Sequence, residues 1–423
     1  MITCQCADWF ITLHKQGSQK HTKVSYPIRY GYFHEIQTPE YIFQYNLNGE
    51  LFLIQGKTNA WPHPSEWLKR TVNHDWVYYF SGGYTGIFDY LGEYYLPCFS
   101  YPSNSLWDRD PFKDREVQKA LQIWPEIPEL LFKRVNGQTS LPDEVRNFSE
   151  QLLAMSASTL QRRSCSLHEI VNNTIPVLPP DARHMDYDCI PVMISDGCLY
   201  NCGFCSVKGQ KGFTKRSKKD ILLQLQRLRE FYGNNIHNYN TVFLGQNDAL
   251  NAGRELILFA AENAYEIFGL GHSYLESQNL LLFGSVDSLL HASEGLFSQL
   301  NSLPFQTYIN IGLESAHQET LDRIQKPISK QQVKEAFDYM LEVNAVYENI
   351  EITANFLIDA LFPEEHWQSI LALVRGRLSH YIDKGTLYFS PLRTKNKKYL
   401  GDKFREIKTL SRLPMYFYLI QRL

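Results

Sequence analysis

The stretch DYDCIPVMISDGCLYNCGFCSVKGQ (Asp186–Gln210) gathers four of the chain's eight cysteines between Cys189 and Cys205. Three of them, Cys198, Cys202 and Cys205, follow C-x-x-x-C-x-x-C. Thiolates at this spacing are metal ligands or small buried residues. Positions i, i+4 and i+7 share one helical face, so core packing is the plain alternative. Gly197, Asn201 and Gly203 stand in and around the set and argue for a loop. Chance supplies roughly 0.003 such matches in a chain of this cysteine content. A structural zinc site needs a fourth ligand, for which Cys189 and His184 are at hand, but Cys189 lies inside an apolar strand-like run. An iron–sulfur cluster on three thiolates leaves one iron of a cubane open. An open position is what a catalytic metal keeps for its substrate.

These residues need elements to position them. The 423-residue chain is 44% hydrophobic and 21% charged, an ordinary globular composition, with a net charge of −3. That charge gives no general attraction to nucleic acid or anionic membrane. The N-terminus has no signal-peptide pattern, and no run of 18 apolar residues suggests a transmembrane helix. A cytoplasmic protein with reduced thiols is the expectation. Residues 1–140 read as a β-rich aromatic domain. Tyr41–Gly56 places two strands around the hairpin signal Asn48-Gly49, and Trp76–Cys98 repeats the theme with turns at Gly82-Gly83 and Gly92. Ser65 caps a short helix through Trp67 and Leu68. Residues 141–185 form a helical and then proline-rich connector, 186–392 a core, and 393–423 a closing segment.

In the core, strand and helix patterns alternate. CIPVMIS, NTVFLG, NLLLFGSV, QTYINIGLE, YENIEITANFLI and GTLYFSPL read as strands, with helices such as Lys218–Gly233 between several of them. Parallel pairing through right-handed crossovers follows. The fold class is α/β, a partial (β/α)6 barrel behind a β-rich N-terminal domain. Chemistry in such barrels sits at the C-terminal strand ends, and the cysteine loop directly follows the first strand.

Cys198, Cys202 and Cys205, with Phe204 before the last, resemble the C-x-x-x-C-x-aromatic-C signature of the radical S-adenosylmethionine (SAM) superfamily. The resemblance covers Asp186–Leu392, about half the chain. It implies a 4Fe-4S cluster on the three cysteines, SAM on the open iron, and a 5′-deoxyadenosyl radical that abstracts a substrate hydrogen. It also implies that Phe204 lies near the adenine. Gly245, Gln246, Asn247 and Asp248 occupy the place of the family's G-G-E-like turn for the SAM ammonium. The glutamate is absent, and Asp248 or the amide oxygens of Gln246 and Asn247 stand in for it. INIGLESAHQETLDRIQKP resembles the family's G-x-E-S segment with its K-P turn, which points Glu314 and Ser315 at SAM. Arg216 corresponds to the basic residue opening the first helix, Asn355 is a further candidate after the fifth strand, and backbone groups of Tyr388–Leu392 could meet the adenine edge.

The expected function is an enzyme acting on an unidentified small-molecule or lipid-like substrate, with a flavodoxin or ferredoxin as electron donor. Modification of RNA or a peptide is the alternative, and the near-neutral charge speaks against nucleic acid. A metal-cluster scaffold without catalysis is the non-enzyme alternative. No catalytic side chain is assigned. Cobalamin is not expected, because no D-x-H-x-x-G loop occurs, and the spacing of Cys4, Cys6, Cys98 and Cys165 does not suggest a second cluster. Lys208–Asp220 and Arg393–Lys398 read as solvated basic faces. Ser411–Leu423 closes the domain, with peripheral lipid contact as the sharper reading. His34–Tyr41 and Ser105–Phe112 are the N-terminal stretches expected to reach a cleft.

Overall fold

The computed structural model describes residues 1–20, 30–61, 76–80, 114–172, 178–185, 189–205, 212–245, 247–376, 378–392 and 396–421. The expected Ser65 helix, the Gly82-Gly83 and Gly92 turns, Cys98, Ser105–Phe112 and Gln246 lie outside them.

Strands β1 (Ile2–Cys6), β2 (Trp9–Gln16), β3 (Tyr32–Gln37), β4 (Tyr41–Tyr45) and β5 (Leu51–Gly56) form an antiparallel sheet in sequence order. Asn46 Oδ1 accepts from the backbone N–H groups of Asn48 and Glu50, and Gly49 takes φ +76°, which closes the turn foreseen at Asn48-Gly49. The sheet packs Ile11, Ile36, Phe43 and Ile54 against Val117, Leu131, Val145 and Phe148. Those residues come from helices α1 (Arg115–Ile123), α2 (Ile127–Asn136) and α3 (Asp143–Ala154). His34 belongs to this packing, between His14 and Phe148.

After helix α4 (Ala157–Val171) comes an all-parallel sheet. The six expected strands are present and adjacent in chain order: β7 (Ile190–Val192), β10 (Thr241–Leu244), β11 (Asn279–Gly284), β12 (Gln306–Glu314), β13 (Ile350–Ile358) and β14 (Leu387–Pro391). The short pair β8 (Ser195–Asp196) and β9 (Thr214–Lys215) sits between the first two. Helices α5 (Lys218–Tyr232), α6 (Arg254–Phe268), α7 (Val286–Leu290), α8 (Leu296–Ser302), α9 (Gln318–Arg323), α10 (Lys330–Val346) and α11 (Glu364–Val374) supply the crossovers. Their ends follow from local chemistry. Ser217 caps α5 and Gly233 stops it at φ +51°, whereas Ser329 and Gln332 form a capping box on α10.

Two strands extend the sheet. After helix α12 (Lys397–Leu410), β15 (Met415–Gln421) pairs with β14, and β6 (Trp76–Phe80) pairs in parallel with β15. The Trp76–Phe80 run therefore joins the parallel sheet rather than the N-terminal one. Its unbroken apolar pattern suits a parallel strand better than an alternating one. Met415, Phe417 and Tyr418 are buried. They belong to the sheet's core, which leaves these three side chains no apolar surface for lipid. Among the described residues no helix is long and apolar enough to cross a membrane.

The proline-rich connector contributes more than a link. Its 3-10 turn, Pro180–His184, fits inside the curved sheet. Asp181 is fully buried there and accepts from the hydroxyls of Thr353 and Tyr388 at 2.9 and 2.8 Å. Arg183 donates to Tyr388 at 2.8 Å and lies 4.5 Å from the ring of Tyr416, and His184 stacks on Tyr308. This turn is the floor of the barrel.

Candidate active site

The cysteine loop leaves β8 through Gly197, at φ +77°, a conformation that favours glycine. Its base is held by Arg216, which grips Asp196 with two bonds of 2.8 and 2.6 Å and donates to the Val171 carbonyl at the end of α4. The guanidinium is thus engaged in closing the loop. Of the basic run, Lys218 pairs with Glu255 on the outer surface, and residues 208–211 lie outside the described residues.

The loop's tip is tied at two further points. Gly203 N–H donates to the Ile324 carbonyl at 3.0 Å, and Tyr200 donates to Asp287 at 2.8 Å. Asp287 also accepts from Gln332 of α10. Phe204 packs against Ile324, Leu357 and Phe362 at the ends of neighbouring elements. Cys202 is buried, and Cys198 and Cys205 are partly so. Burial pushes the Cys202 thiol up to about 11, partly offset by the nearby Lys326 ammonium. Cys198 is raised for the same reason, against the Tyr200 N–H that donates to its sulfur at 3.4 Å. Among the described residues no three His, Cys, Asp or Glu side chains converge closely enough to hold a single metal ion.

Opposite the loop, the register of β12 against β13 slips between Gly312 and Glu314, and Glu314 takes φ +63°. A bulge with left-handed backbone costs on the order of 1 kcal/mol and re-aims one side chain. Here it brings Glu314 to Lys326 at 3.3 Å, both nearly buried. Burial raises the Glu314 carboxyl, and Lys326 draws it back. The Lys326 ammonium also lies 5.1 Å from the Tyr200 ring. A side chain at Gly312 would collide with Glu314 Oε1 at 2.4 Å, so the glycine makes this arrangement possible.

At the end of β10, Gly245 takes φ +73°, and an added Cβ would meet Ala249 at 2.6 Å. Asn247 is half-buried beside it. Asp248 is fully buried. Its Oδ1 accepts from the Ser285 N–H and the Ser288 hydroxyl, both at 2.8 Å, while Oδ2 is buried without a hydrogen-bond partner among the described residues. Burial raises this carboxyl, and its charge in turn raises Cys198. Leaving a carboxylate oxygen unmatched costs several kcal/mol unless a donor fills the place.

The expected residues do not all converge. Cys198, Cys202, Cys205, Asp248, Glu314 and Lys326 form one group linked by the action of their charges on one another. Ser315 instead bonds His366 Nδ1 at 2.9 Å and accepts from the His317 N–H. His366 Nε2 faces the Leu357 carbonyl, which requires its proton there, so Ser315 is the donor to Nδ1. Burial lowers this imidazole to about 4 and keeps it neutral. Lys326 and Tyr200 acquire roles that sequence reasoning did not give them, although Lys326 stands in the quoted K-P pair.

Residues 192–374 match the family described as the Radical SAM superfamily. No curated protein matches the chain. Among solved structures, a radical SAM methyltransferase from Sphaerobacter thermophilus is 16% identical, over 56% of this chain and 68% of that one, with a TM-score of 0.36. The cobalamin-dependent S-adenosylmethionine radical enzyme OxsB with aqua-cobalamin bound is 15% identical, over 44% of this chain and 26% of that one, at TM-score 0.31. The same enzyme with aqua-cobalamin and S-adenosylmethionine bound gives 15%, 53%, 31% and 0.33. The chain thus spans about a quarter to a third of OxsB. Residues 192–374 thus form a radical SAM domain, and that domain implies a 4Fe-4S cluster and SAM.

Proposed function

We propose that Cys198, Cys202 and Cys205 each hold one iron of a 4Fe-4S cluster, and that the fourth iron takes SAM. The observation that carries this reading is the unpartnered Asp248 Oδ2, buried near Cys198. A charged ammonium is the donor that such an oxygen lacks, and Asp248 supplies the acid missing from the G-G-E-like turn. Its other oxygen is held by Ser285 and Ser288, so the carboxylate is already oriented before any ligand arrives. Glu314, fixed by Lys326, adds an acceptor for ribose hydroxyls. Phe204, Gly245 and Asn247 line the remainder. When bound and reduced, the cluster supplies the electron that breaks SAM's S–C5′ bond and so a carbon radical for hydrogen abstraction. The chain's part is to hold SAM in one orientation within a curved sheet that limits water.

The substrate class in this reading is a small molecule or lipid-like compound, in a cytoplasmic setting, with a flavodoxin or ferredoxin as electron donor. The low net charge supports it over a nucleic acid. The test is the full chain reconstituted anaerobically with iron and sulfide. About four irons per chain and 5′-deoxyadenosine on adding SAM and dithionite are expected. Cys198→Ala loses both. Asp248→Asn keeps the iron and weakens SAM binding about ten- to a hundredfold, as for a lost charged hydrogen bond. One zinc in place of iron, or no 5′-deoxyadenosine from the loaded protein, would sink the proposal.

A further inference from the structure

A chain of hydrogen bonds runs up the barrel interior from the floor. Arg183 donates to the Tyr388 hydroxyl, so that hydroxyl must give its own proton to Asp181 Oδ1. Thr353 donates to Asp181 Oδ2 at 2.9 Å, which leaves its oxygen to accept from Asn310 Nδ2 at 2.8 Å. Asn310 then presents Oδ1 upward, where it accepts from Asn355 Nδ2. With Asp181 ionised, every donor points down to the carboxylate. The direction fixes which way each amide is turned. At the top of the chain, Asn355 Oδ1 is buried with no hydrogen-bond partner among the described residues.

The position of that oxygen is informative. Ile352, Ala354 and Phe356 alternate with Thr353 and Asn355 along β13 and face the apolar core. Asn355 is therefore on the interior face, and its partner in register is Gly312, which has no side chain. Above Gly312 stand Glu314 and Lys326, beside the cysteine loop. We propose that Asn355 Oδ1 is a specificity-determining acceptor for a ligand hydroxyl or N–H inside the barrel, held in that orientation by Thr353 and Asp181 as positioning residues. A ligand with no donor at this point leaves the oxygen buried and unmatched, and is rejected. The inference rests on the radical SAM reading for the end from which the ligand enters and for SAM as one of the two ligands. The donor has two sources, a ribose hydroxyl of SAM or a hydroxyl of the substrate.

The test uses the reconstituted full chain, with iron content and thermal midpoint read on every sample. SAM, 2′-deoxy-SAM and 3′-deoxy-SAM are titrated into the parent protein and Asn355→Leu. Then 1-butanol and its donor-free isomer methyl propyl ether are compared on the SAM-loaded proteins by ligand-observed NMR. About a tenfold loss of SAM affinity in Asn355→Leu, matched by loss of one ribose hydroxyl in the parent and not additive with it, assigns the donor to SAM. Unchanged SAM affinity, with an alcohol-over-ether preference lost in Asn355→Leu, assigns it to the substrate. Thr353→Val touches no ligand but removes the direction of the chain, and is expected to reduce the same discrimination. A purely structural role would lower its thermal midpoint and leave the discrimination intact. If both variants retain the parent's SAM affinity and its alcohol-to-ether ratio, the inference fails. Should Asn355→Leu not fold, the Thr353→Val ratio decides. Normal iron content in those samples would leave the cluster assignment standing.

Discussion

The two ends of the barrel solve opposite problems. At the floor, Asp181, Thr353 and Tyr388 are buried and, with the partly buried Arg183, satisfy one another in one network. At the mouth, Asp248 keeps an oxygen unmatched among the described residues, Glu314 has left-handed backbone, and Lys326 pairs with Glu314 while its charge acts on Cys198 and Cys202. The floor network is closed on itself, whereas the mouth carries costs that, in the proposed function, a ligand recovers.

Changes that break this contrast should differ in size. The largest stability effect is expected at the mouth. Lys326→Met leaves Glu314 as a buried charge without a partner and lowers unfolding free energy by about 3–5 kcal/mol. Adding Glu314→Gln should restore most of that loss in urea denaturation. An unchanged single variant would mean that the pair is not buried in solution. At the floor, burial and then the neighbouring Glu351 lift the Asp181 carboxyl to about 7. The folded value is above the unfolded one, so this group's contribution is full below about pH 4 and is lost as pH rises through 7. The loss is on the order of 4 kcal/mol. Stability of the parent minus that of Asp181→Asn, measured from pH 4 to 8, should trace that decline, and a flat difference would remove the floor from the pH response. The smallest effect belongs to Tyr200→Phe, which deletes the tie between the cysteine loop and Asp287. About 1 kcal/mol of stability and faster hydrogen exchange in the loop are expected, with iron content retained.

Much of this was legible in the sequence, for reasons of range. The cysteine loop, the six strands and the ends of α5 and α10 depend on residues a few positions apart, so local pattern suffices. The Glu314–Lys326 pair was not, because it needs a bulge and a positive φ that no residue type announces. Arg216 and Ser315 were assigned to a ligand by position, while their actual partners, Asp196 and His366, are settled by tertiary packing. The connector read as a link because its prolines hide what Asp181 and Arg183 meet far along the chain.

Strand β6 pairs with Met415–Gln421, more than 300 residues further along the chain. During synthesis on the ribosome, Trp76–Phe80 leaves the exit tunnel long before Met415–Gln421 exists. Its backbone groups have no parallel neighbour throughout that interval. An apolar WVYYF run in this state is a site for chaperone capture or for aggregation. The β6–β15 pairing can form only after Met415–Gln421 is translated, so a truncation before Met415 leaves the early strand without the partner on which it docks.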